Sequence, residues 1–196
     1  MQRHLSVWAV GFLAFVGAAA TGCSAGPVDA DQPEASESEL RSPASKVRAL
    51  KSAVAKANVP KNNDYGMSFG VKEYPRGTSV KKILEDVTGT DESDINLAWF
   101  DLTWGASGVN GVASVLEERA AEELADAEDD ESKEAAKAIK GLASAVRKTF
   151  FPVSEFSAIS SRSHSIAEDG DLESHTIIAT KPDGSFLTMS YTNFPF

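Results

Sequence analysis

Ser79-Val80-Lys81-Lys82 sets a hydroxyl three residues before an ammonium, the spacing at which a lysine can reach a serine across one helical turn. The further signatures of serine enzymes built on that pair, Ser-Asp-Asn and Lys-Thr-Gly, occur nowhere in the chain. The pair therefore reads as a helix N-cap followed by exposed lysines. His164 stands in the run Ser160-Ser161-Arg162-Ser163-His164-Ser165, and His175 opens the last apolar segment. Imidazole beside serine is the pairing of nucleophilic acyl transfer, in which the ring takes the hydroxyl proton and a carboxylate holds the ring. Nothing in the spacing selects such a set, so both histidines are expected on exposed strands or loops. Gly105-Ala106-Ser107-Gly108 brings its second glycine one residue too early for a nucleophile elbow. The stretch from Gly105 to Gly111 reads as a flexible loop. No catalytic residue, cofactor site or metal-ligand set is assigned.

Charge carries more information. The chain has 196 residues, with 19 Lys and Arg against 29 Asp and Glu and a net charge of −10. That balance argues against direct nucleic-acid binding and against docking on anionic lipid through a basic face. Residues 117–134 alone hold ten acidic and two basic side chains. No Asp-x-Asp-x-Asp-Gly spacing occurs there, so no calcium loop is indicated. Asp126, Glu128, Asp129, Asp130 and Glu131 are expected as an exposed connection between two helices, an anionic face that attracts a basic protein partner. A single cysteine, Cys23, excludes an intramolecular disulfide framework and a cysteine-cluster zinc site.

Behind these residues the expected organisation is a signal over 1–22, a disordered tether over 23–44 and one folded domain over 45–196. Arg3 and His4 precede an uncharged, mostly apolar stretch from Leu5 to Ala20, shorter than the roughly 20 residues of a spanning helix. The tether is rich in Ser, Ala, Pro, Asp and Glu and has too little apolar surface to order itself. Ser45 is the expected cap of a first helix whose face is Val47, Leu50, Val54 and Ala57, with Pro60 stopping it. Tyr65, Met67, Phe69 and Val71 alternate with small or polar residues as a half-buried strand. Thr78 or Ser79 opens a second helix that closes at Gly89. Ile95 to Trp104 reads as a strand buried on both faces. Two helices follow, marked by Val112, Val115, Leu116 and Leu124 and then by Ile139, Leu142, Ala143, Val146 and Phe150. Strand-like sequence from Phe156 leads to an acidic turn around Glu168-Asp169-Gly170-Asp171. A hairpin about Lys181-Pro182-Asp183-Gly184 closes the chain. The class is α+β: a single α-β-α sandwich-like domain with a small, mainly antiparallel sheet.

Two stretches resemble known families. Ala19-Ala20-Thr21-Gly22-Cys23 resembles the bacterial lipoprotein signal, in which a small residue precedes a cysteine that is lipidated and becomes the mature N-terminus. The resemblance implies a lipid on Cys23, a membrane as partner and a place in the bacterial cell envelope. Ser24 after the cysteine favours the outer membrane. From about residue 45 to 196 the order of elements resembles the nuclease A inhibitor-like family. The points of likeness are the opening helix Lys46-Val-Arg-Ala-Leu50, Asp64-Tyr65 before an alternating strand, a helix closing on Thr88-Gly89, and Asp101 in the next strand. An acidic insertion, a long helix ending near Phe150 and a hairpin around Gly184 complete the outline. The family is non-enzymatic, and its type member plugs the active site of a secreted, metal-dependent nuclease. It does so with an acid in the loop before the first strand and with its C-terminal carboxylate. Here Asn62 occupies the place of that acid and Asp64 is the nearest carboxylate, while the chain ends Asn193-Phe-Pro-Phe196. The resemblance thus implies Asp64 and Phe196 as partner-binding groups, and a basic secreted nuclease as the partner.

Overall fold

The protein is described by a computed structural model, which covers residues 42–58, 66–166 and 172–193. The signal, Cys23, most of the tether, Asn62, Asp64, the turn at Glu168–Asp171 and Phe196 lie outside the described residues.

Helix α1 (Pro43–Ala57) begins three residues earlier than a cap at Ser45 implies. Ser42 is the cap, its Oγ accepting the Ser45 amide at 3.2 Å, and Pro43 occupies a first-turn position where its missing N–H costs nothing. The Ser45 hydroxyl instead donates to the Ser42 carbonyl at 2.8 Å. Leu50, Val54 and Ala57 are buried. At the far end, the Asn58 side-chain amide both accepts from the Phe69 N–H (2.9 Å) and donates to the Phe69 carbonyl (2.7 Å). A side chain thus takes the place of a neighbouring strand along β1 (Met67–Tyr74).

Helix α2 (Val80–Thr88) is capped by Ser79 and closed by Gly89, whose φ of 72° suits a residue without Cβ. The Ser79 Oγ accepts from the Lys82 amide at 2.9 Å and donates to Glu92 at 2.6 Å, while the Lys82 ammonium reaches Glu85 at 2.6 Å. Serine and lysine are each committed to structural partners, as the N-cap expectation requires.

The run from Ile95 to Trp104 departs from expectation. Only Ile95 and Phe100 are buried, in a small cluster with Leu84. A 3₁₀ turn occupies Leu97–Trp99, and β2 (Asp101–Trp104) has all four side chains exposed. It is an edge strand rather than one buried on both faces. Asp101, expected within a buried strand, is likewise exposed. The glycine-rich stretch is no loop either. After Gly105 (φ 65°) the chain enters α3 (Gly105–Ala125) directly, and Gly108 is buried in its first turns. A Cβ built there would lie 2.7 Å from the Thr103 carbonyl oxygen and 2.8 Å from the Ser161 hydroxyl. Glycine weakens a helix taken alone. Here it lets the helix lie flush on the sheet, and tertiary packing overrides propensity.

Helix α4 (Asp130–Phe150) runs back along α3, with Arg147 holding Glu117 across the pair. After a 3₁₀ turn at Val153–Glu155 come β3 (Ala158–Ile166), β4 (Leu172–Thr180) and β5 (Phe186–Asn193). The last turn is built as its sequence indicates. Lys181 N–H bonds the Ser185 carbonyl, Asp183 accepts from the Ser185 amide, and Gly184 has φ 82°. The sheet is antiparallel throughout, in the order β1-β5-β4-β3-β2. Side chains alternate across it. One face carries Phe69, Ile159, Ile177, Ala179, Leu187, Met189 and Tyr191 into a core shared with α1, α3 and α4. The other carries Tyr74, Ile178 and Phe186 against Ile83 and Val80 of α2. The described residues thus form an α+β domain with helices on both faces of one sheet.

Candidate functional site

The register of β3 on β4 and of β4 on β5 produces a polar row that reading the sequence missed. Asp101, Ser163, His175, Tyr191 and Phe69 are direct cross-strand neighbours on β2, β3, β4, β5 and β1. All five lie on the face covered by α1, α3 and α4, since Phe69 and Tyr191 belong to that core. The Ser163 Oγ is 2.9 Å from His175 Nδ1, and His175 Nε2 is 2.7 Å from a Glu173 carboxylate oxygen. His175 is not the exposed histidine expected, since only 13% of its side chain is accessible. Its ring lies parallel to that of Tyr191, with centroids 6.0 Å apart, and Tyr191 in turn stacks on Phe69. From α3, Arg119 donates to the Tyr191 hydroxyl at 3.1 Å and pairs with Glu122 and Glu173. Burial pushes the Tyr191 hydroxyl up to about 12, so it stays protonated and packs as a neutral ring. A clue to this set was present in the acidic turn: folding the sequence symmetrically about Asp169 brings Ser163 opposite His175.

Serine, imidazole and carboxylate joined by hydrogen bonds are the parts of an acyl-transfer relay. Two features limit what they can do. Ser163 sits on a strand paired on both sides, so its backbone N–H and C=O point into the ladders rather than toward a reacting carbonyl. No preformed oxyanion donor follows from that geometry. Both ring nitrogens of His175 are also engaged. His164, on the opposite face, places Nδ1 2.9 Å from the Trp99 carbonyl and packs on the Phe100 ring, away from His175.

The acidic connection lies at the far end of α3. Asp126 ends that helix, and Asp129 caps α4, accepting from the Ser132 amide and hydroxyl at 2.7 Å each. Asp130 and Glu131 occupy the first turn of α4, where the helix dipole favours negative charge. Asp130 pairs with Lys133, yet its side chain is fully exposed. Asp126 and Glu128 face solvent. The predicted acidic face is therefore present as a surface, and part of it also holds the helix hairpin together.

The third feature is apolar. Trp99 and Trp104 are 60% and 63% exposed and Leu102 is 40% exposed, all clustered on and beside β2. Among the described residues four-residue β2 pairs only with β3, and no described strand covers its outer backbone. Among the described residues no group of three or more His, Cys, Asp or Glu could hold a metal ion, and no helix is long and apolar enough to cross a membrane. No protein-family model, curated protein or solved structure matches the chain.

Proposed function

We propose that the chain is an exported lipoprotein, anchored through Cys23, whose folded part is a binding domain for a basic protein and not an enzyme. The observation that carries this reading is the exposed aromatic edge. Large apolar side chains on a strand that ends the sheet among the described residues are what a docking surface requires, and natural edge strands without partners usually hide such residues. Tryptophan faces also accept lysine and arginine side chains by cation–π contact. The acidic end of α3 lies about 30 Å away by helix length, so its carboxylates act as a long-range field on the approach rather than in the contact itself.

The resemblance to nuclease inhibitors supplies one partner class: a basic secreted nuclease, whose phosphate-binding groove an acidic protein can fill. Asp64 and the chain end at Phe196 would be the inserted carboxylates. The alternative is a structural lipoprotein of the envelope with no nuclease target. Titration of the domain against purified secreted nucleases at low salt separates the two. Loss of activity that is weakened about tenfold or more in a Trp99→Ser/Trp104→Ser variant is the expected outcome. Full nuclease activity at a large molar excess removes the nuclease, and inhibition indifferent to the tryptophans removes the edge. The anchor is tested by Cys23→Ser, which should shift the protein out of the detergent phase; unchanged partitioning would refute lipidation.

The Ser163–His175–Glu173 row favours a second reading, a small serine hydrolase. A fluorophosphonate probe addresses it directly. Labelling of Ser163 that disappears in His175→Ala would replace the binding-domain reading, and an unlabelled, folded protein would retire the hydrolase.

A further inference from the structure

A small cavity opens beside the tryptophan edge, between α2 and β3. Its volume is about 100 Å³, and its walls include Thr88 at the end of α2, Asp94, Trp99 and Phe100 on the way to β2, and His164 on β3. The aromatic walls are held in place from two sides. Trp99 ends the 3₁₀ turn that Asn96 caps, the Asn96 side-chain oxygen accepting the Ala98 amide at 3.1 Å. His164 Nδ1 donates to the Trp99 carbonyl at 2.9 Å, and the imidazole packs on Phe100 with ring centroids 4.8 Å apart. Phe100 is buried while Trp99 is 60% exposed, so one ring belongs to the fold and the other stays open to solvent.

Three independent sources give this cavity a negative potential. Aromatic rings present a negative face, and Trp99 and Phe100 both line it. Asp94 is exposed, and among the described residues its carboxylate pairs with no lysine or arginine. Helix α2 ends at Thr88, where the last carbonyls carry the negative end of the helix dipole, and its last turn holds no basic residue. From Thr88 to Trp104 the chain has Asp91, Glu92, Asp94 and Asp101 and no lysine or arginine. Arg162 stands two residues from His164 on β3 but is not part of the lining. Such a cavity selects a cation. Its volume lies below the ~150 Å³ that admits a benzene ring, so the cation is one compact head.

The geometry points to a binding pocket for a small quaternary ammonium ion, its methyl groups against Ile95, Trp99 and Phe100 and its charge met by the rings and the Asp94 carboxylate. A primary ammonium brings three N–H donors that each need an acceptor. The acceptors here are largely taken: the Thr88 hydroxyl donates to the Leu84 carbonyl at 2.9 Å and accepts the Thr90 amide at 3.3 Å, and the Trp99 carbonyl accepts from His164. A quaternary nitrogen carries no N–H and leaves nothing unmet. The pocket takes a free ligand and does not depend on a protein docking at β2, since Trp104 is outside its lining.

Choline is a suitable probe, read by calorimetry and tryptophan fluorescence on the purified full chain at low salt. Saturable binding is expected, with the uncharged isostere that has carbon in place of the quaternary nitrogen weaker by about tenfold or more. Trp99→Leu should weaken choline by a similar factor. Asp94→Asn, a change on an exposed side chain, should weaken it several-fold and lessen its salt dependence. Trp104→Leu should leave it unchanged. Unchanged affinity in Asp94→Asn or in a folded Trp99→Leu protein, equal binding of the isostere, or no saturable binding overturns the site. A loss in Trp104→Leu as large as in Trp99→Leu would put the ligand on the open edge and overturn the pocket. Ethanolamine binding as tightly as choline would overturn the assignment to a quaternary nitrogen.

Discussion

A single methyl group at Gly108 would meet the Thr103 backbone, which cannot rotate away as a side chain could. Gly108→Ala should therefore lift the start of α3 off the sheet and destabilise the protein by about 1–3 kcal/mol, although alanine is the better helix former. Thermal or denaturant unfolding measures this, and an equal or higher melting temperature would show that the helix does not depend on the close approach. The same residue shows where sequence reading stops. A glycine-rich run has low helix propensity and invites the word loop, while the cause of the glycine, a strand carbonyl directly beneath it, is tertiary. Local chemistry was legible where it is self-contained: Ser79 caps, Gly89 closes, and Asp183-Gly184 turns, because each depends on neighbours within three or four residues. His175 was not, since its partners Ser163 and Glu173 are brought to it by strand register.

At the scale of elements, the acidic corner has two duties that substitution can separate. Asp129 caps α4, and its replacement by alanine should cost about 1 kcal/mol of stability. Neutralising Asp126 and Glu128, which are exposed near a helix C-terminus, should leave stability unchanged or slightly raised. If the corner serves a basic partner, that second pair of changes slows association and flattens its salt dependence with the fold intact. Unfolding curves for the two variants, read beside association rates, check both statements. An Asp129→Ala protein as stable as the parent would deny the cap its role. Helices α2 and α4 and the final hairpin follow from their periodicity. Ile95–Trp104 does not, because dense aromatics look alike in a central strand and on an exposed edge. Only the order of the sheet tells them apart, and among the described residues β2 ends the sheet because no later strand returns to cover it.

For the molecule as a whole, the class and the succession of helices and strands were legible, since they rest on patterns repeated over many residues. The functional surfaces were less so. Acidity is visible in composition, but an apolar edge and a serine–histidine row exist only once the sheet is assembled. The two ends of that sheet also differ. At β1 the amide of Asn58 occupies the backbone of Phe69, and Glu73 on the same strand is paired with Lys51 and Lys181. At β2 nothing comparable intervenes among the described residues. A sheet open at both ends can polymerise, each copy offering the next a fresh template. One that is stoppered at one end cannot. If two copies meet through β2, they close as an isologous pair with a stopper at each extremity, and growth terminates at two.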